Sequence, residues 1–175
     1  MSLANKLVEG NKNVIREAWD RLGPLPLGDR VFSKMIGLMA PYTGSVGARV
    51  VELRPGYSRV VLRDRWAVRN HLTSVHAIAL ANLAELAGNV ALAYSLPDDA
   101  RFIVSGMEIE YVKKARGTIT AVGESPIPRT SARAAYDVPV TLRDAQGEEV
   151  ARAVLHSLVG PKPGTAGAND RRDVN

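Results

Sequence analysis

Residues 69–89 read RNHLTSVHAIALANLAELAGN, and this stretch decides the fold. Alanine and leucine dominate it, glycine is rare, and no proline occurs between residue 69 and Pro97. The segment 75–96 therefore predicts one long helix of roughly 33 Å at ~1.5 Å per residue, with Thr73 or Ser74 as its N-cap. Because the helix is apolar on nearly all sides, the rest of the chain has to cover most of it.

Four polar residues interrupt this apolar segment: His76, Asn82, Glu85 and Asn89. Burying an unpaired carboxylate costs several kcal/mol, so Glu85 requires either a partner or a use. On a helical wheel Asn82, Glu85 and Asn89 fall within about 60° of one another. This polar stripe indicates either a catalytic carboxylate or polar groups that satisfy each other, or their two-fold mates, in a dimer interface.

The flanking sequence predicts two helices before this segment and strands on both sides of it. Residues 4–21 and 28–39 have helical spacing, and Ala40-Pro41 ends the second helix. Two β-branched runs flank Pro55-Gly56, which is typical of a type II turn in a hairpin. Four more strands are predicted within 101–115, 117–125, 134–144 and 148–160, the last two joined by a turn at 144–147.

This order predicts an α+β fold in which a curved antiparallel sheet wraps around one long central helix. Residues 1–41 are predicted to be a helical extension and residues 42–160 the main domain. Residues 161–175 are rich in Gly, Pro and charge without periodicity, and predict a disordered tail.

Composition limits the chemistry. The 175 residues include no cysteine and three scattered histidines (His71, His76 and His156), so no metal site and no cofactor are expected. The net charge of +5 suits an anionic partner, but it is spread out and only 5% of residues are aromatic, which favours a small phosphorylated ligand over nucleic acid. A charged N-terminus without an apolar core, and no apolar run of membrane-spanning length, predict a cytoplasmic protein without a membrane partner.

The segments 40–53, 69–88 and 110–121 (APYTGSVGARVVEL, RNHLTSVHAIALANLAELAG and EYVKKARGTITA) resemble the hotdog-fold acyl-CoA thioesterases of the phenylacetyl-CoA and 4-hydroxybenzoyl-CoA type. The resemblance covers about residues 42–159, and it is strongest to a hotdog branch catalogued as a domain of unknown function. It implies the hotdog architecture, with the central helix enclosed by the sheet. It also implies hydrolysis of an acyl thioester, with CoA present only as part of the substrate.

In those thioesterases the chemistry lies in an Asn, a His-Gly-Gly six residues later, and an acidic residue nine after the His. Asn70, His76 and Glu85 match that pattern, whereas Ala77-Ile78 replaces the two glycines. The resemblance implies that Glu85 is the nucleophile or general base, that Asn70 holds the water or the carbonyl, and that His76 supports the site. Ala77 keeps the backbone N–H that would polarise the carbonyl.

The same resemblance implies that Lys113, Lys114 and Arg116 lie near the CoA phosphates, as a basic residue at the corresponding place does in some members. Such a basic cluster is, however, most often a solvated strand end.

His76 and Glu85 lie on opposite sides of the predicted helix and are separated by roughly 14 Å along its axis. They cannot act together within one chain, but two antiparallel copies of the helix would bring them together. A homodimer or a dimer of dimers is therefore expected. Two other functions stay open: a hydratase or dehydratase using His71 and Glu85, which are fourteen residues apart, and a non-catalytic acyl-CoA or acyl-chain binding protein.

Overall fold

Six strands wrap around one central helix. The computed structural model describes residues 12–163. Its helices are α1 (Val14–Leu22), α2 (Gly28–Met39), α3 (Pro41–Ser45) and α4 (Ala77–Ser95), with a 3-10 turn at Trp66–Val68. Its strands are β1 (Arg49–Arg54), β2 (Tyr57–Leu62), β3 (Ala100–Tyr111), β4 (Ile119–Glu124), β5 (Ala134–Arg143) and β6 (Glu149–Pro161). The predicted α+β hotdog architecture is confirmed.

The central helix α4 is shorter than predicted. It begins at Ala77, and its N-cap is His76, whose Nδ1 accepts the N–H of Ile78 at 3.1 Å. The predicted cap at Thr73 or Ser74 is wrong, because Thr73 adopts a left-handed φ of +56° within the preceding loop. Among the described helices only α4 is long and apolar enough to span a membrane, and 67% of its most apolar window is buried inside the fold.

The strands form one antiparallel sheet in the order β1-β2-β4-β5-β6-β3. Both predicted hairpins are confirmed. Gly56 has the positive φ, +72°, that a type II turn requires. In the β5–β6 turn, Asp144 Oδ1 accepts the N–H groups of Gln146 and Glu148 at 3.0 Å each, and Gly147 has a φ of +84°.

The sheet and α4 touch without intervening side chains at one point. A Cβ atom on Gly123 of β4 would lie 2.7 Å from the backbone oxygen of Ala87, which is closer than real Cβ contacts. Ser58 of β2 donates a hydrogen bond to the same oxygen at 2.7 Å. This contact fixes the distance between α4 and the sheet at Ala87, five residues after Asn82, where the polar stripe begins.

The helices before the sheet differ from the prediction at one end. Helix α2 matches, but α1 begins at Val14, with Asn13 as its N-cap; Lys12 is not helical, and residues 4–11 lie outside the described range. Trp19 packs edge-on against Phe32, with ring centroids 5.1 Å apart, and Phe32 joins the main core. The short helix α3 was not predicted; Pro41 stands in its first turn, where a missing N–H costs nothing.

The sheet also extends further than predicted. Strand β6 continues to Pro161, and Lys162 is only 5% exposed. The backbone N–H of Lys162 donates to the oxygen of Asp99 at 2.7 Å, and its Nζ donates to the oxygen of Lys12 at 2.9 Å. The predicted tail therefore starts too early at 161, and residues 164–175 lie outside the described range.

Candidate active site

Asn70 organises the loop that leads into α4. Its Oδ1 accepts the N–H of Leu72 at 2.9 Å, the N–H of Ser74 at 3.3 Å and the hydroxyl of Ser74 at 3.1 Å. The side-chain oxygen is therefore engaged in shaping the turn, as is typical of an asparagine in a loop. Its role towards a substrate stays a prediction.

A second loop, between β3 and β4, is fastened against the first. The N–H of Val75 donates to the oxygen of Ala115 at 2.8 Å, and the N–H of Gly117 donates to Asp64 Oδ2 at 3.0 Å. Asp64 Oδ1 also accepts Arg69 Nε at 2.6 Å. The hydrogen bond from Arg69 is the largest cause that holds the pKa of Asp64 below its ordinary value, and the Gly117 N–H adds to it. These bonds place the loop 112–118 beside the start of α4.

The three basic residues of this second loop have different surroundings. Lys113 Nζ pairs with Asp144 at 2.8 Å and also contacts Glu148, and these partners raise the pKa of Lys113. Lys113 thus ties the loop to the β5–β6 turn. Lys114 and Arg116 are exposed, and neither has an ion-pair partner within residues 12–163. Contact of any of the three with CoA stays a prediction.

The amino end of α4 combines a histidine cap with an open amide. His76 Nδ1 accepts the N–H of Ile78 and so satisfies one of the unpaired donors of the first turn. The oxygen of Ala77 accepts the hydroxyl of Tyr111 at 3.1 Å, and burial raises the pKa of that hydroxyl. No acceptor in the described part of the chain binds the N–H of Ala77. One backbone donor therefore remains available at the positive end of the helix.

The polar stripe is only partly satisfied by the described residues. Glu85 is partly buried and makes no hydrogen bond or ion pair with any described residue. Asn82 is 4% exposed and donates from Nδ2 to the oxygen of Tyr42 at 3.2 Å. The Oδ1 atoms of Asn82 and Asn89 are buried, and neither has a partner among residues 12–163. The three side chains thus do not satisfy each other.

Two features of the site were not predicted. A cavity of about 300 Å³ lies where α1 and α2 cross the carboxyl half of α4, and its wall includes Ile36, Leu86, Asn89 and Phe102. Tyr111 reaches from β3 to the first residue of α4. No sequence signal marks the cavity, because it is a volume that the packing of several helices and a strand leaves unfilled. Asn13, which caps α1 beside the cavity, could have been found as an asparagine that precedes an amphipathic run.

A protein family described as a domain of unknown function (DUF4442) matches residues 28–159 of this sequence. The chain belongs to this family. The DUF4442 match begins at the first residue of α2, so it takes in this helix as well as the sheet and α4. Among curated proteins, no sequence matches.

Solved structures share the fold of this DUF4442 chain. A structural-genomics target, APC5556, is 35% identical with a TM-score of 0.73, over 84% of this chain and 98% of that one. A Pseudomonas aeruginosa protein of unknown function, PA5026, described as a probable thioesterase, is 26% identical with a TM-score of 0.68, over 79% and 97%. A Streptococcus mutans protein solved with acetyl CoA is 19% identical with a TM-score of 0.55, over 65% and 88%.

The structure brings the predicted residues together in two places. Asn70, His76, Ala77 and the loop 112–118 meet at the amino end of α4, whereas Glu85 lies two turns further along the helix. His71, the partner of Glu85 in the hydratase hypothesis, is exposed on the same loop as Asn70. Within one chain the predicted residues therefore form two separate groups.

Proposed function

We propose that this DUF4442 protein is a thioesterase that hydrolyses an acyl-CoA, or another acyl thioester, to the free acid and the thiol. The observation that carries the proposal is Glu85, a partly buried carboxylate on an apolar core helix without a partner in residues 12–163. Since such a group lowers stability, its presence favours a chemical role. The shared fold with PA5026, described as a probable thioesterase, supports this reaction class, and the fold shared with the Streptococcus mutans protein that holds acetyl CoA supports an acyl-CoA ligand.

The proposed site is completed by a second copy of the chain. Strand β3 forms one edge of the sheet, and its outer backbone groups are open to pair with another strand. Two-fold pairing of β3 with β3 would set two α4 helices antiparallel, with the amino end of one near the middle of the other. The Glu85 carboxylate and the Oδ1 atoms of Asn82 and Asn89, which find no partners within residues 12–163, would then face the partner's loop.

In the proposed reaction Glu85 takes a proton from water, and the water oxygen attacks the thioester carbonyl carbon. The N–H of Ala77 from the second copy stabilises the developing oxyanion, aided by the positive end of its helix. The carbon–sulfur bond then breaks, and the leaving thiolate receives the proton held by Glu85. The products are the carboxylic acid and the thiol, so atoms and protons balance.

Lys114 and Arg116 are proposed to contact the CoA phosphates. Both are exposed, and the bond between Val75 and Ala115 holds their loop beside the start of α4. Lys113 contributes less in this proposal, because two carboxylates already neutralise it.

The experiment is a thiol-release assay on a panel of acyl-CoAs, with wild type, Glu85→Gln and Glu124→Gln. Glu124 is an exposed glutamate at the end of β4 and serves as the matched control. We expect Glu85→Gln to lower hydrolysis by about 100-fold or more, the scale of a lost general base, without loss of thermal stability. Glu124→Gln should retain full activity.

Full hydrolysis by folded Glu85→Gln would contradict the mechanism. Sedimentation of the same samples should show a dimer or a dimer of dimers, and a monomer at micromolar concentration would contradict the shared site. Hydration of an enoyl-CoA would instead support the hydratase hypothesis. Binding of acyl-CoA without turnover would support the hypothesis of a non-catalytic acyl-CoA binding protein.

A further inference from the structure

The cavity under the first two helices is large enough to hold part of a ligand. Its volume of about 300 Å³ reaches the lower end of the range for ligand sites and exceeds the water-sized voids of ordinary cores. The wall is mainly apolar, with Ile15 and Ile36 from the helices, Leu86 and Val90 from α4, and Phe102 from β3. Such a wall suits a hydrocarbon group.

A buried polar network holds this cavity open. Asn13 Nδ2 donates to the oxygens of Ala93 at 2.7 Å and Leu96 at 3.0 Å, which fixes the start of α1 against the end of α4. Lys162 Nζ donates to the oxygen of Lys12 and joins β6 to the same point. Asn13 and Lys162 are 7% and 5% exposed. Since these bonds set the distance between α1 and α4, the space between them cannot close by a simple shift of α1.

The cavity adjoins the polar stripe. Leu86 follows Glu85 directly, and Asn89 lies one helical turn after it; both line the cavity. Thr43 of α3 also lines it, next to Tyr42, whose oxygen accepts the amide of Asn82. From Glu85 to Leu96, at the far end of the wall, is roughly 16 Å along the helix at ~1.5 Å per residue.

We propose that this cavity binds the acyl chain of the thioester substrate, and that the substrate class is an aliphatic acyl thioester of about twelve carbons. This inference rests on the proposed function, since it places the carbonyl at Glu85 and the chain along α4. The length follows from the roughly 16 Å between Glu85 and Leu96. Each methylene buried there raises affinity about fourfold, whereas a short acyl group leaves the apolar wall empty.

The test measures binding of non-hydrolysable acyl-CoA thioethers with chains of increasing length by calorimetry, so it needs no turnover. With wild type, we expect affinity to rise with chain length and to level off at about twelve carbons. Ala93→Leu reduces the space, and its affinity should level off at a shorter chain. Met39→Ala enlarges the space, and its affinity should level off at a longer chain.

Ala135→Leu is the control, because it adds the same bulk on the exposed face of β5, outside the cavity. Its chain-length profile should equal that of wild type. Opposite shifts in the two cavity variants cannot arise from a general loss of stability. If Ala93→Leu does not fold, Met39→Ala decides alone, and an unmoved profile overturns the inference.

The two proposals fail separately. Shifted binding profiles without hydrolysis would keep the acyl-chain cavity and contradict the thioesterase. Hydrolysis that Glu85→Gln abolishes, with identical binding profiles in all variants, would keep the thioesterase and overturn the cavity. An affinity independent of chain length would also overturn it.

Discussion

The two ends of helix α4 are fastened in different ways. At the carboxyl end, side chains from a distant part of the sequence bind the free carbonyls: Asn13 binds those of Ala93 and Leu96, and Arg16 Nη1 donates to Leu96 at 3.1 Å. At the amino end the cap is the adjacent His76, and the N–H of Ala77 has no acceptor within residues 12–163. Side chains thus bind the carbonyls at the carboxyl end, whereas the amino end leaves a backbone donor open within the described residues.

The largest effect is expected from Ala77→Pro, which removes only the open N–H. Proline is well tolerated at the first position of a helix, and His76 already has the extended ψ of 140° that a residue before proline prefers. We expect hydrolysis to fall by about 100-fold to 1,000-fold, the cost of one oxyanion donor, while the melting temperature changes little. Ala77→Gly keeps the N–H and should keep most of the activity. Equal activity of the two variants would remove the oxyanion role.

At the carboxyl end, Asn13→Ala should lower the free energy of unfolding by about 2–3 kcal/mol. It removes the N-cap of α1 and one donor to each of the Ala93 and Leu96 carbonyls at the end of α4. Urea denaturation measures this change, with Asn70→Ala as the control from the amino end. Asn70→Ala should cost less stability, because water replaces its exposed bonds, and more activity. The reverse order would contradict the division between the two ends.

Charge reversal at Lys114 and Arg116 tests whether the CoA phosphates bind near the amino end of α4. Exposed phosphate contacts are screened within a Debye length of about 8–10 Å, so we expect the double variant to weaken CoA binding by about tenfold at low salt and less at high salt. Charge reversal at Arg129 and Arg133, exposed before β5, changes the net charge equally and serves as the control. If the Lys114 and Arg116 variant binds CoA with unchanged affinity, the CoA phosphates do not contact these two residues.

The smallest effect is a pH dependence of stability. It arises from the clamp between the two loops, by which we mean the bonds of Asp64 to Arg69 and Gly117. The pKa of Asp64 is lowered from its ordinary 3.8, chiefly by the hydrogen bond from Arg69. A depressed carboxyl pKa contributes stability above the unfolded value, and that contribution is lost as pH falls through the folded pKa. The stability difference between wild type and Asp64→Asn should therefore be full at pH 7 and shrink below about pH 3.8. A difference of constant size across that range, by urea midpoints, would exclude the clamp as its source.

The sequence was sufficient where structure is local. Alternating strands, the Pro55-Gly56 turn and the turn ending at Gly147 follow from backbone preferences of neighbouring residues, and all are confirmed. The start of α4 is not local. The N–H of Val75 binds Ala115 and the N–H of His76 binds Val68, and these bonds keep both residues out of the helix.

The site followed the same rule. The polar stripe could be predicted from helical spacing, because it lies on one regular element. The ion pairs of Lys113 depend on a turn more than thirty residues away, and the cavity depends on how two further elements cross α4. Neither pattern is present in any short stretch of sequence.

The contact between Gly123 and Ala87 has a consequence for how the sequence can vary. Gly123 has no left-handed backbone angle, so its constraint is purely spatial: a methyl group there would meet a backbone oxygen, which cannot rotate away. Ala87 lies two residues after Glu85, so displacing the helix at this point would displace the carboxylate with it. In a saturation-mutagenesis library selected for activity, position 123 should accept glycine alone, even though it lies on the sheet and touches no substrate.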